Sequence, residues 1–224
     1  MIKAKLGDRL DGWIHQLFPF LFKRSLDPNL LTVTGSVVSL AAALAYAFGH
    51  FSLGGVLLLA GGFFDLVDGV VARHFGRTTA FGAFLDSTLD RFVDMAVLLG
   101  IVAHYGLSGR PGMLTLTSIV LIMSVLTSYT KAKAEQVIPY LKGGTVERGE
   151  RVGLLAFGSL SGLMVPALWL LAIGTTATVA QRFLSAHEAL GEKDLLEAAP
   201  AQSEREREQE QELESAGAGQ DGEA

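Results

Sequence analysis

The sequence predicts an all-α integral membrane protein with six transmembrane helices, preceded by an N-terminal amphipathic interfacial helix. Half of its 224 residues are hydrophobic, and the mean hydropathy of +0.38 is too high for a soluble domain of this length. Residues 1–190 contain several apolar segments of about 18 or more residues, the length at which a helix can cross a bilayer. The sequence contains no cysteine, so disulfides and thiolate chemistry are excluded.

Six apolar segments separated by short connections are predicted to be the transmembrane helices. They lie at about 30–48, 53–75, 82–105, 112–137, 150–163 and 166–187. Residues 3–26 combine aromatic and aliphatic side chains with lysine and arginine, a composition typical of a helix in the membrane interface. The turn sequence DPN at 27–29 follows, with Asn29 as a candidate cap for the first span.

Basic residues fall on one side of this six-span arrangement. Among the basic residues of the predicted loops, only Arg110 lies on the opposite side. Because cytoplasmic loops of membrane proteins are enriched in lysine and arginine, we expect both termini and the 2–3 and 4–5 loops to face the cytoplasm. The predicted location is the cell (inner) membrane, in a multi-pass arrangement.

The chain divides into a membrane domain at 1–190 and an acidic tail at 191–224. The tail contains eleven acidic and three basic residues, which leaves 12 acidic and 15 basic residues in the membrane domain. Its low-complexity sequence has too few apolar residues to form a core. We therefore predict that the tail is a disordered, dispensable extension, with a short interaction helix as the alternative.

Four aspartates interrupt the apolar sequence around the second and third spans. Asp65 and Asp68 share one helix face, and Asp86 and Asp90 share a face of the next helix, so antiparallel packing would bring the two pairs together. One ionised Asp within a span costs about 2.5–3.5 kcal/mol, and converging carboxylates also repel one another. The pattern therefore predicts two bound divalent ions, Mg²⁺ with Mn²⁺ as the alternative.

Small residues are interleaved with these aspartates. Gly69, Ala72 and Gly82 would leave room beside the carboxylates for a bulky substrate. Taken singly, each small residue could instead serve close helix–helix packing, which is common in membranes. Their fixed spacing among four aspartates favours the binding role, and a pair of metal ions would suit phosphoryl chemistry on a diphosphate.

The combined motif at 65–90 reads D-x-x-D-G-x-x-A-R, then eight residues, then G-x-x-x-D-x-x-x-D. At all eight specified positions it resembles the signature of the CDP-alcohol phosphotransferase (CDP-alcohol phosphatidyltransferase) family, membrane enzymes of phospholipid biosynthesis. The six-span layout and the interfacial helix are also similar, so the likeness covers about residues 1–190. The resemblance implies a metal-dependent phosphotransferase in which CDP-diacylglycerol gives its phosphatidyl group to an alcohol and releases CMP at a cytoplasmic active site.

The resemblance also implies roles for individual residues. Asp65, Asp68 and Asp86 would be metal ligands, and Asp90 would be both a ligand and the catalytic base for the attacking hydroxyl. Because metal coordination makes a carboxylate less basic, Asp90 would act mainly by orienting that hydroxyl. Asp94 lies outside the motif and is expected to pair with a neighbouring polar group. The residues implied in CDP-lipid binding are Asn29, Thr32, Gly69, Ala72, Arg73 and Gly82.

Two basic segments indicate an acceptor alcohol that carries its own phosphate. SYTKAKAE at 128–135 and GGTVERGERVG at 143–153 resemble segments of the prokaryotic phosphatidylinositol phosphate synthase subfamily, which uses inositol 1-phosphate. Lys133 departs from that pattern, since the subfamily commonly has arginine there. The alternatives are positive-inside surface charge and phosphatidylglycerophosphate synthase activity with glycerol 3-phosphate. The implied acceptor-phosphate residues are Lys131, Arg148, Arg151 and Arg182.

Two other classes of protein fit parts of the sequence less well. Intramembrane prenyltransferases also use aspartate-rich helices, but with different spacing and usually more spans. An ion transporter would place acidic residues near mid-membrane on interrupted helices, whereas these lie near one surface. The predicted partners are the CDP-diacylglycerol donor, a small polyol phosphate, the lipid bilayer and a second copy of the chain in a homodimer, with no nucleic acid.

Overall fold

A computed structural model of the protein describes residues 27–141 and 143–220, with side chains described as far as residue 195. This part of the chain contains six α-helices and no strand, which confirms the all-α prediction. The helices are α1 (Pro28–Ala47), α2 (Phe51–His74), α3 (Ala80–Leu107), α4 (Pro111–Ala134), α5 (Arg148–Ser161) and α6 (Met164–Gln220). The predicted interfacial helix at 3–26 lies outside the described residues.

Local start and stop signals set the helix ends. Pro28 and Pro111 lie in the first turns of α1 and α4, where a missing backbone N–H leaves no hydrogen bond unmade. Asp27, and not Asn29, caps α1, because its carboxylate accepts a hydrogen bond from the Asn29 backbone N at 3.0 Å. α5 ends at Gly162, whose φ of 74° is the left-handed conformation that glycine adopts without strain.

Four of the helices are long and apolar enough to cross a bilayer: α1, α2, α4 and the 164–195 part of α6. α3 has 28 residues, but its first fifteen residues include three aspartates and an arginine. α5 has 14 residues, about 21 Å, which is shorter than the hydrocarbon core of about 30 Å. Many outward-facing side chains are large and apolar, including Leu44, Leu59, Leu99, Ile122 and Ile173. The chain is therefore a membrane protein, and a count of six spans remains a prediction.

One apolar core contains residues from all six helices. Tyr46 on α1 is fully buried there, and its hydroxyl forms a hydrogen bond with Ser159 Oγ on α5 at 2.8 Å. Small residues allow α1 and α2 to approach closely, since a Cβ added to Gly35 would lie 2.8 Å from Phe64 Cβ. This contact fixes the C-terminal half of α2 beside the first turns of α1.

The ends of α4 and α6 differ from the predicted segments. α4 ends at Ala134, before the predicted end at residue 137, because the chain tightens into a turn ahead of Pro139 and then passes through Gly143 and Gly144 at φ of 100° and 117°. α6 continues well past residue 187 and its helical backbone reaches Gln220. Disorder of 191–224 in solution remains a prediction.

Candidate active site

Three of the four motif aspartates converge where α2 ends and α3 begins. One carboxylate oxygen each from Asp65, Asp68 and Asp86 lies within 4.8 Å of the other two. Asp68 is buried, and the other two are half-buried. Hard oxygen ligands at this spacing suit Mg²⁺ or Mn²⁺, so the residues fit the divalent metal expected from the sequence.

Thr32 on α1 supports one of these carboxylates. Its hydroxyl donates a hydrogen bond to Asp68 Oδ2 at 2.5 Å and lies 3.0 Å from the Pro28 carbonyl. The family resemblance implied that Thr32 binds the CDP-lipid, and that role remains a prediction. The contact with Asp68 was missed, because no spacing rule links residues 36 positions apart.

Asp90 is held by an arginine and is not part of the three-carboxylate group. Its Oδ1 lies 2.9 Å from Arg148 Nη2, while Arg148 Nη1 lies 2.7 Å from Asp65 Oδ2. The Nε of the same guanidinium is 3.4 Å from Asp94 Oδ1. Arg148 therefore bridges two predicted metal ligands, and its positive charge reduces the repulsion among the carboxylates.

The six residues predicted to bind the CDP-lipid line one cavity of about 250 Å³, formed by α1, α2, α3 and the α2–α3 turn. This motif cavity is lined by Asn29, Thr32, Gly69, Ala72, Arg73 and Gly82, together with Asp68 and Asp86. A Cβ added to Gly82 would lie 3.0 Å from Thr79 Oγ1 and 3.2 Å from Asn29 Oδ1. A side chain at position 82 would therefore press on the cavity wall, which accounts for glycine there.

The four residues predicted to bind the acceptor phosphate line a second cavity of about 420 Å³, formed by α3–α6 and the α4–α5 loop. This basic cavity is lined by Lys131, Arg148, Arg151 and Arg182, together with Asp86, Asp90 and Asp94. Asp86 borders both cavities. Lining residues that the sequence analysis did not assign include Ser87, Arg91, Ser128 and Glu147.

The four cations that were predicted to bind the acceptor phosphate differ in their contacts. The Lys131 side chain has no hydrogen bond or ion pair with any residue that the structure describes. Arg151 is buried and pairs with Asp94 at 2.5 Å. Arg182 is also buried and donates to the backbone carbonyls of Thr127 and Gly143, the latter at 3.5 Å. Lys131 is thus the cation most available to a ligand, while Arg182 ties the α4–α5 loop to α6.

The α4–α5 loop is fixed at its end by two further interactions. The Val146 backbone N donates to Thr178 Oγ1 on α6 at 3.0 Å. Glu147 and Glu150 form a reciprocal capping box at the start of α5, in which the Glu147 backbone N donates to Glu150 Oε2 at 3.0 Å. Together these contacts set the position of the first turn of α5, which carries both of its arginines into the cavity.

Sequence comparisons identify enzymes of lipid synthesis as relatives. A family model described as CDP-alcohol phosphatidyltransferase matches residues 26–186. A phosphatidylinositol phosphate synthase from Streptomyces avermitilis is 37% identical over 200 residues, covering 83% of this chain and 82% of the relative. An archaetidylinositol phosphate synthase from Methanothermobacter thermautotrophicus is 40% identical over 147 residues, covering 66% and 73%.

Solved structures of the phosphatidylinositol phosphate synthase from Mycobacterium tuberculosis are similar to this fold. The structure with CDP-DAG bound has a TM-score of 0.66 and 29% identity, covering 81% of this chain and 94% of the other. The complex with manganese and citrate has a TM-score of 0.69 and 32% identity, covering 75% and 86%. Since the family model spans the carboxylates and the residues of both cavities, the chain belongs to the CDP-alcohol phosphatidyltransferase family.

Proposed function

We propose that the protein is a phosphatidylinositol phosphate synthase, which transfers the phosphatidyl group of CDP-diacylglycerol to a hydroxyl of inositol 1-phosphate and releases CMP. The observation that carries this proposal is the pair of cavities meeting at Asp86, one lined by the motif and the other by five cationic side chains. An enzyme that joins a nucleotide-linked lipid to a phosphorylated polyol must hold both substrates with their reacting groups in contact. The names of the relatives favour inositol phosphate over glycerol 3-phosphate as the acceptor.

The metal site would consist of Asp65, Asp68 and Asp86, with Asp90 as a further ligand when a second ion is present. A bound Mg²⁺ or Mn²⁺ would neutralise the diphosphate and stabilise the departing CMP. The three converging carboxylates support this assignment, and so does the manganese complex of the M. tuberculosis relative. Two Mg²⁺ ions are proposed because four carboxylates supply enough oxygen ligands for two sites.

The motif cavity would hold the cytidine diphosphate of the donor. Arg73 lines it and can donate paired hydrogen bonds to phosphate oxygens. Gly69 and Gly82 have no side chain, so they leave room for the ligand beside the carboxylates. Asn29, whose Oδ1 would lie 3.2 Å from a Cβ added to Gly82, is placed to contact the same ligand. These residues would set the affinity for the donor and leave the acceptor site unaffected.

The basic cavity would hold the acceptor through its phosphate. Lys131 and Arg151 would contact that phosphate, which leaves a ring hydroxyl directed toward Asp90. Asp90 would orient this hydroxyl and accept its proton as the oxygen bonds to phosphorus, while the bond from that phosphorus to the CMP oxygen breaks. Arg148 and Arg182 would complete the positive surroundings of the acceptor.

We also propose six membrane spans, with α3 and α5 crossing inside the bundle, and a homodimer in the cell (inner) membrane with its active site in the cytoplasm. The one-sided distribution of basic residues supports this orientation. The functional unit would be 1–190, with 191–224 as a disordered extension. Because the native chain has no cysteine, single cysteines at Thr78 and Ser108 can be labelled in intact cells. Only the cysteine at 108 should react with an impermeant reagent, and the reverse result would overturn the orientation.

The test of function is a CMP-release assay with purified protein, CDP-diacylglycerol and Mg²⁺. Parallel reactions would contain inositol 1-phosphate, glycerol 3-phosphate, serine or free inositol. We expect inositol 1-phosphate to give the highest rate. A preference for glycerol 3-phosphate would assign the protein to phosphatidylglycerophosphate synthesis, and an absence of CMP release with every acceptor would contradict the proposed reaction.

A further inference from the structure

Asp94 lies one helical turn beyond the last motif aspartate, and its two carboxylate oxygens contact two different arginines. Oδ1 lies 3.4 Å from Arg148 Nε, and Oδ2 lies 2.5 Å from Arg151 Nη2. Only 14% of the Asp94 side chain is exposed, so both ion pairs are largely shielded from water. The contacts join α3 to the first turn of α5 across the wall of the basic cavity.

Arg151 depends on Asp94 for its orientation. Its side chain is 6% exposed, and Asp94 is the one side-chain partner that the described part of the structure gives it. A buried guanidinium that loses its carboxylate is an uncompensated charge and shifts toward other acceptors or water. Nη2 of Arg151 donates to Asp94, so the other N–H groups of this guanidinium can donate to a ligand in the cavity.

The guanidinium of Arg148 forms ion pairs with three carboxylates. Nη1 and Nη2 lie against Asp65 and Asp90, and Nε lies against Asp94. The first two carboxylates are predicted metal ligands, and a bound ion would compete with Arg148 for them. Asp94 is outside the three-carboxylate group, so its contact with Arg148 does not compete with that metal site.

We infer that Asp94 is a positioning residue, which aligns Arg151 and braces Arg148 so that the basic cavity can bind a phosphorylated acceptor. Asp94 itself carries a negative charge and would repel a phosphate, so its effect is exerted through the arginines. The inference rests on the proposed function, since it assumes that the acceptor phosphate occupies the basic cavity.

The test compares Asp94→Asn with the parent enzyme. Asparagine has nearly the same shape but no charge, so we expect the acceptor KM to rise about tenfold, as for loss of a hydrogen bond to a charged group. The KM for CDP-diacylglycerol and the Kd for Mn²⁺, measured by electron paramagnetic resonance without substrate, should stay within about twofold. Asp194→Asn, the same change on an exposed part of α6, is the matched control and should behave as the parent.

A double-mutant cycle with Arg151→Gln tests whether Asp94 acts through Arg151. If it does, Asp94→Asn adds little to the acceptor KM in the Arg151→Gln background, because the two residues form one unit. Asp94→Glu, which keeps a carboxylate, should raise the acceptor KM less than Asp94→Asn does. If the asparagine variant does not fold, the acceptor KM of Asp94→Glu is compared with those of the parent and Arg151→Gln instead.

Three results would overturn the inference. They are an unchanged acceptor KM in Asp94→Asn, an equal loss of donor and Mn²⁺ affinity, and fully additive effects in the cycle. If Asp94→Asn does not fold, an acceptor KM for Asp94→Glu as high as that for Arg151→Gln would also overturn the inference. A parent enzyme that accepts no phosphorylated alcohol contradicts the proposed function as well, and this is apparent before any variant is compared.

Discussion

The motif cavity and the basic cavity meet at Asp86, but they are assembled in different ways. The motif cavity uses residues 28–86, which belong to consecutive helices joined by tight turns. The basic cavity uses residues 86–182, brought together from four helices and a loop. The difference shows that the side of the site built from the motif depends on local spacing, whereas the other side depends on tertiary packing.

Three arginines that line the basic cavity are held by specific partners. In the basic cavity, buried Arg151 and Arg182 are bonded to a carboxylate and to backbone carbonyls, and Arg148 is bonded to three carboxylates. Positive-inside surface charge needs no such burial or partners, because it acts through exposed loop residues. The arginines of the basic cavity therefore belong to a built site, and Lys131 stands among them without a partner in the described residues.

The largest expected effect is at the three converging carboxylates. Asp65→Asn or Asp86→Asn should lower CMP release from CDP-diacylglycerol by about 10²–10³ or more, because each removes a charge that the metal site needs. The measurement is radiometric or coupled CMP release with saturating acceptor. Asp194→Asn is the charge-matched control, and activity that persists in both site variants would contradict the metal assignment.

The next effect distinguishes the two cavities by substrate. Lys131→Ala should raise the acceptor KM about tenfold and leave the donor KM unchanged, because it removes a charge-assisted contact of about 1.5 kcal/mol with the acceptor phosphate. Lys133→Ala is the matched control, since Lys133 is on the same helix end but bonds to Gln136 and does not line the cavity. Equal effects of the two variants would instead favour general surface charge.

A smaller effect is expected at the wall of the motif cavity. Gly82→Ala places a methyl group 3.0 Å from Thr79 Oγ1 and 3.2 Å from Asn29 Oδ1. The resulting displacement should raise the donor KM about fivefold, the effect of roughly 1 kcal/mol of overpacking, with the acceptor KM unchanged. Gly112→Ala, where the added carbon meets no atom within 4 Å, provides the control. A rise in the acceptor KM alone would show that position 82 does not face the donor.

The smallest effect is expected at the acidic tail, whose described side chains, as far as residue 195, line neither cavity. Deleting 191–224 should change kcat and both KM values by less than about twofold, since surface segments away from built sites contribute little. Deletion after Leu195 is the comparison, because it keeps the hydrogen bond from Lys193 Nζ to the Val137 carbonyl at 3.3 Å. Loss of activity in both truncations would show that the tail is required.

The sequence by itself determined the helical class, the positions of the long apolar helices and the motif side of the site. Hydropathy and a spacing of three or four residues act within one or two helices, so they can be read along the chain. That spacing puts Asp65 and Asp68 on one face of α2, and the predicted antiparallel packing of α3 brings Asp86 to them, as the structure shows. Arginines at 148 and 151 could be assigned to the second cavity only through resemblance to a subfamily.

Only the tertiary structure decided how charges are paired across that second cavity. Arg148 contacts Asp65 at a separation of 83 residues, and Arg151 contacts Asp94 at a separation of 57. Such contacts depend on the crossing of α5 against α2 and α3 and on the loop that α6 holds in place. Spacing rules act within one helix, whereas pairing between helices depends on packing of the whole bundle.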